Sequence, residues 1–249
     1  MIGFLDELEV STTKSLYIPI GLSLPEVEGM LEQQAISPEL AELAVGSKTG
    51  AVIFWGPSRI YLVTPPFPIM ENHFAQGCAI EPLRSILKHD YGVALILVRL
   101  GAYAIGLCQG EILISSKVGT GLVHARHKKG GSSQQRFQRH RGKQIESFLN
   151  RVCSHTRENL EPQKRLLDYL VYGGAKTTIL SLQKRCLFLR QFENRNLPPL
   201  LDIAEPRKVV LETAVGRVWL SGVTEWHDDR IHTRNTDLPH EKQSFPKIH

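Results

Sequence analysis

VALILVRLGAYAIGLCQGEILISSKV, residues 93–118, is three apolar segments separated by glycine-containing breaks at Gly101 and Gly110. Each segment has a strand's length and is far too short for a bilayer span, which takes about 20 apolar residues. Breaks this short do not allow a crossover helix, so the three segments are expected to pair as an antiparallel meander. A sheet therefore sits at the centre of the fold.

Working outward toward the N-terminus, AVIFWG (51–56) and RIYLVTPPFP (59–68) read as a strand pair joined by a Gly-Pro-Ser turn, with the prolines ending the second strand. EPLRSILKHD (81–90), PEVEGMLEQQ and SPELAELAVG carry helical spacing, the last with Ser37 as N-cap and Pro38 at the first helical position. Toward the C-terminus, a long helix is expected from about Gln134 to Leu160, with Phe137, Ile145, Phe148, Leu149 and Val152 on one face. LLDYLVYGG (166–174) reads as a strand, KTTILSLQKRCLFLRQF (176–192) as one helix, and KVVLETA with GRVWLSGV (208–223) as late strands. Strands in a meander followed by helix, strand, helix and strand make an α/β (α+β) domain with a mixed sheet and packed helices. The expected division is a helical N-terminal extension over 1–50, a core domain over 51–225 and a loose tail over 226–249.

The 42% hydrophobic content of the 249 residues is enough for a sizeable core. The N-terminal MIGFLDELEV is acidic and lacks the regions of a signal peptide. The four cysteines, Cys78, Cys108, Cys153 and Cys186, are scattered without a CxxC pair, which suits a reducing cytoplasm and argues against disulfides and thiolate zinc. The net charge of +5 is concentrated rather than spread. From His124 to Arg157 there are nine basic residues and one acid, Glu146. Such a patch meets phosphate, or forms a solvated helix face.

Inside that run lies HARHKKGGSSQQRFQRHRGKQ, residues 124–144. Gly130 and Gly131 lack a Cβ and permit close backbone approach to a partner. Ser132 and Ser133 can cap the helix that follows, whose positive dipole end points at the loop. Glutamine does not titrate near neutral pH, but its amide both donates and accepts, so Gln134 or Gln135 can position a water or face an oxyanion. A glutamine on a glycine loop within a cationic patch suggests water-positioning chemistry on a nucleic-acid-bound substrate.

The order Gly-Gly, small residues, Gln, set between strands and a long basic helix, resembles the catalytic loop of archaeo-eukaryotic peptide-chain release factors. With serines interposed before the glutamine, GGSSQ (130–134) is more similar to the Vms-type peptidyl-tRNA hydrolases of ribosome-associated quality control; VYGGAKTTILSLQKRC (171–186) is similar to that family's strand, turn and helix. The resemblance covers roughly residues 50–225 and implies a ribonuclease-H-like release-factor catalytic domain. It implies that Gln134 positions the hydrolytic water, with Gln135 as its competitor, and that Gly130 and Gly131 let the loop enter the catalytic centre. Arg126, Lys128, Lys129, Arg136 and Arg139, with Lys143 beside them, would then contact RNA phosphates. The implied partners are the large ribosomal subunit, through its rRNA, and peptidyl-tRNA. Neither a membrane nor DNA is expected, and the chain would act as a monomer without cofactor or metal. The strict Gly-Gly-Gln triplet is absent, as are the zinc finger of the family's eukaryotic members and a stop-codon-reading domain.

Several rivals remain. The stretch lacks the GxxxxGK[ST] spacing of a P-loop. YGGAKTT (172–178) can be a phosphate site around Lys176 or a tight strand-to-helix turn. A metal nuclease needs carboxylates clustered on central strands, and only Glu111 and Asp168 lie near strand ends. His124, His127 and His140, like His227 and His232 near Asp228 and Asp229, lack a completing ligand set. The non-enzymatic alternative is an rRNA- or tRNA-binding module that uses the same cations as phosphate anchors.

Overall fold

The structure is a computed structural model that describes residues 2–33, 39–56, 59–124 and 133–226. Its elements begin with α1 (Ile2–Ser11), β1 (Lys14–Ile18), α2 (Leu24–Glu32), α3 (Glu39–Gly46), β2 (Ala51–Trp55), β3 (Ile60–Thr64), β4 (His73–Gln76) and α4 (Glu81–Lys88). They continue with β5 (Gly92–Arg99), β6 (Ala102–Gln109), β7 (Ile112–Thr120), α5 (Ser133–Leu160), β8 (Tyr169–Gly174), α6 (Lys176–Arg185), α7 (Leu187–Arg190), β9 (Asn196–Leu201), α8 (Lys208–Val218) and β10 (Gly222–Trp226). Two compact units result, one formed by residues up to Arg84 together with β10, the other by Ser85–Leu220.

The first unit is an antiparallel sheet in the order β10-β3-β2-β1-β4. The β2–β3 pair matches the reading of residues 51–68, although Pro57 and Ser58 of its turn lie outside the described residues. Every residue of β2 is buried, as a strand covered on both faces requires. Leu16, Ile18, Ile53 and Leu62 pack against Val27 and Leu31 of α2 and against Leu40, Ala41 and Ala44 of α3. α2 is entered through a capping box in which the Ser23 amide donates to Glu26 at 2.7 Å. The Ser37 and Pro38 cap expected for α3 lies outside the described residues. β1 stands between β2 and β4, so residues 1–50 are not an appended helical segment, and the division at residue 50 runs through one sheet. The Tyr17 phenol on β1 donates to the Ala79 carbonyl at 2.5 Å and accepts from the Leu83 amide at 3.2 Å.

The second unit carries the expected mixed sheet, in the order β7-β6-β5-β8-β9. β5, β6 and β7 form the antiparallel meander read from residues 93–118. β8 and β9 extend it in parallel with β5. Ala94, Ile96, Val98, Tyr103, Ile105 and Leu107 join Leu170 and Tyr172 on one face, beneath α5 and α6. On the other face, Leu211 of α8 lies over Gly106 of β6.

Three expectations change here. Residues 208–218 are the helix α8, not strands: Leu211, Ala214, Val215 and Val218 are buried at helical spacing, which outweighs the strand preference of the valines. The helix expected over 176–192 breaks at Cys186, whose backbone (φ −89°, ψ 87°) separates α6 from α7. The scattered cysteines do not all stay free: Cys153 of α5 and Cys186 are joined as a disulfide, with Cα atoms 5.4 Å apart. They are 33 residues apart in sequence, and only the packing of α6 beside α5 makes them neighbours. Closing a loop of that length stabilises by about 3–4 kcal/mol in the chain-entropy account. A reductant should therefore lower the melting temperature of the wild type and leave Cys153→Ser unmoved. Equal wild-type melts with and without reductant would mean that the two cysteines are unlinked.

β8 ends in a turn that only glycine accommodates. Gly174 has φ +118°, and a Cβ there would collide with the Val98 carbonyl. Gly174→Ala should cost at least about 1–3 kcal/mol, since positive φ alone costs that much in an L residue. The loss should appear as a lower denaturant midpoint, and an unchanged midpoint would sink this account.

Candidate functional site at the start of the long helix

α5 is 28 residues long and spans about 42 Å. Its two halves differ in what holds them. Phe148, Leu149, Val152 and Leu160 are buried, each contributing about 1.5–3 kcal/mol of apolar burial. From Glu146 onward the acids have partners: Arg185 meets Glu146 at 2.8 Å, the His155 ring lies 2.9 Å from Glu158, and Arg157 reaches Glu161 at 2.8 Å. Residues 135–140 are all exposed. Phe137, expected on the buried face, is 59% exposed, in line with its neighbours.

The first half is also electrostatically one-sided. No acid lies in its first turn, and Arg136, Arg139, Arg141 and Lys143 all precede Glu146. Cations at a helix N-terminus oppose the macrodipole, so this end favours an arriving anion. Arg136, Arg139 and Lys143 recur at i, i+3 and i+7, with His140 between them, and so share one exposed stripe. Among the described residues no carboxylate pairs with any of the three cations.

The neighbouring stripe is occupied differently. From Thr120 to His124 the chain runs antiparallel along α5. Arg151 donates to the Thr120 carbonyl at 3.2 Å, and Arg141 Nε donates to the His124 carbonyl at 2.9 Å. The His124 amide donates to Gln144 Oε1 at 3.2 Å. Gly121 lets the Phe148 ring close on the backbone, where a Cβ would stand 2.7 Å from Cδ2. These contacts were not anticipated from the sequence, which counted Arg141 and Arg151 only as charge. The one signal available was that Arg141, Gln144 and Phe148 fall on a single helical stripe.

The expected catalytic and binding residues divide accordingly. Gly130, Gly131, Arg126, Lys128 and Lys129 lie outside the described residues, as does His127. Gln134 is the second residue of α5, its side chain outside the description, and Gln135 is exposed. The YGGAKTT segment is a strand-to-helix turn leading into α6, with Ala175 making no side-chain cap. Among the described residues no three His, Cys, Asp or Glu side chains come together to hold a metal, and His227, His232, Asp228 and Asp229 lie outside them. The free thiols are poor nucleophiles: burial pushes Cys108 up to about 12 and raises Cys78 as well. No described helix is long and apolar enough to cross a membrane.

Residues 91–224 match a family model described as the Actinobacteria/chloroflexi VLRF1 release factor. Peptide chain release factor subunit 1 of Aeropyrum pernix is 25% identical over 191 residues, 64% of this chain and 51% of its own length. The protein of that name from Saccharolobus solfataricus is 23% identical over 81% of this chain and 63% of its own length. The chain thus spans about half to two thirds of the length of these curated relatives. Among solved structures, the crystal structure of the archaeal translation termination factor aRF1 aligns over 87% of this chain and 68% of that chain, with 20% identity and a TM-score of 0.42.

Proposed function

The chain belongs to the Actinobacteria/chloroflexi VLRF1 release-factor family, and from that premise we propose that it is a peptidyl-tRNA hydrolase of the Vms type. It acts as a monomer on stalled large ribosomal subunits, and hence in the cytoplasm, in ribosome-associated quality control; that location no longer rests on the cysteines, two of which are linked. The observation that carries this reading is the first half of α5. It presents an exposed stripe of Arg136, Arg139 and Lys143, unpaired among the described residues, directly after the Gly-Gly-Ser-Ser-Gln sequence.

The substrate ester joins the nascent peptide to the terminal ribose of the tRNA. Water adds to the ester carbonyl, the tetrahedral oxyanion collapses, and the ribose hydroxyl leaves with a proton. Gln134 contributes orientation: its amide oxygen accepts from the attacking water while its NH₂ donates to an oxygen nearby. Gly130 and Gly131 allow the loop to enter a crowded RNA centre, while Arg126, Lys128 and Lys129 join the α5 stripe on rRNA or tRNA phosphates. The chemistry uses no metal or cofactor.

The same cationic stripe would also serve a module that binds RNA without cleaving, so the test must read bond cleavage. Purified large subunits carrying peptidyl-tRNA are mixed with the protein, and loss of the ester is followed on a gel. Free peptide and deacylated tRNA support the hydrolase. Binding without cleavage gives the site to the non-catalytic module.

A further inference from the structure

We infer that Arg141 and Gln144 form a clamp on the backbone of His124 that positions the catalytic loop, an inference that rests on the hydrolase reading above. His124 is the last described residue before the loop, and Ser133 opens α5 after it. Both polar backbone groups of His124 are taken by that helix: the carbonyl accepts from Arg141 Nε at 2.9 Å, and the amide donates to Gln144 Oε1 at 3.2 Å. The spacing is what such a clamp needs. Side chains three apart on a helix share a stripe and stand about 4.5 Å apart along the axis, so two of them can reach the N–H and C=O of one residue running alongside.

Among the described residues the clamp continues a series of ties. Gly121 donates its amide to Gly101 at 2.9 Å, Arg151 holds the Thr120 carbonyl at 3.2 Å, and Val123 packs on the core. Without Arg141 and Gln144, the His124 backbone would lose both of these partners, leaving the ties at Thr120 and Gly121 and the packing of Val123. The cost to folding is that of two hydrogen bonds outside the hydrophobic core, about 0.5–1.5 kcal/mol each. The larger effect is on position: a loosened His124 widens the range of positions from which the chain leaves α5's side, and a misplaced catalytic group loses rate steeply. The half-buried Arg141 is therefore a positioning residue, in contrast to the exposed Arg136, Arg139 and Lys143.

The test combines single-turnover hydrolysis on large subunits carrying peptidyl-tRNA with hydrogen exchange at the His124 amide. For Arg141→Ala/Gln144→Ala, the rate at saturating protein should fall about tenfold or more while the half-saturating concentration stays within about twofold. The His124 amide should exchange faster in Gln144→Ala, and Gln144→Glu, which keeps the acceptor, should restore both slow exchange and rate. Wild-type rates in the double variant, or a loss confined to the half-saturating concentration, would overturn the clamp. If the wild type cleaves nothing, the hydrolase reading falls, and the clamp is then judged on exchange alone: an unchanged His124 amide in Gln144→Ala removes it.

Discussion

Gln134→Ala should lower peptidyl-tRNA hydrolysis by about 10²–10³-fold, the scale of losing one positioned donor at a developing oxyanion, with large-subunit binding retained. Glutamine has no titratable proton to give or take, so its contribution must be geometric. Gln134→Glu sharpens the point. A carboxylate in the first turn of α5 complements the dipole and should stabilise the helix. It removes both donor protons and brings negative charge toward the oxyanion, so hydrolysis should still be lost. Stability and activity then move in opposite directions, which a merely structural glutamine cannot produce. Gln135, the next residue on α5 and exposed, is the competing assignment. Loss in only one of the two alanine variants names the water-positioning residue. Wild-type cleavage by both would remove glutamine from the chemistry altogether.

The meander of the second unit was legible because its signals are local, whereas β9, with its two prolines, was not read as a strand. Gly101 and Gly110 leave no room for crossovers between Val93 and Val118, and the pairing of β5, β6 and β7 follows. The coarser release-factor likeness was legible for a different reason: GGSSQ is a contiguous word, and the family match over 91–224 spans it. What escaped depends on partners far along the chain. KSLYI is a five-residue segment whose strand character comes from lying between β2 and β4. HFAQ is almost wholly exposed and carries no apolar alternation to announce β4. In α8, Val209, Val210 and Val218 favoured a strand until the burial of Leu211, Ala214 and Val215 fixed the helical period. Cys153 and Cys186 meet only through helix packing. Arg141 and Arg139 look alike in sequence. Which of them faces solvent and which holds a carbonyl depends on where the segment from Thr120 to His124 runs, and no composition records that.

That distinction sets the second large effect. In Arg136→Gln/Arg139→Gln/Lys143→Gln, three exposed cations are removed from one stripe while the Arg141 clamp stays in place. Affinity for large subunits should fall, and the slope of log affinity against log salt should shrink by about 2–3, because each lost phosphate contact removes about 0.7–0.9 from it. Folding should move the other way. Arg136 sits in the first turn of α5, where a cation opposes the dipole, so its neutralisation should stabilise the helix by about 0.3–1 kcal/mol at low salt. A generic surface defect would weaken folding and binding together and leave the salt slope where it was. A helix end held at electrostatic disadvantage for the sake of an anionic partner would instead show firmer folding, weaker binding and a shallower slope. An unchanged slope would remove these three residues from the RNA interface, and the cations before Ser133 would have to carry it instead.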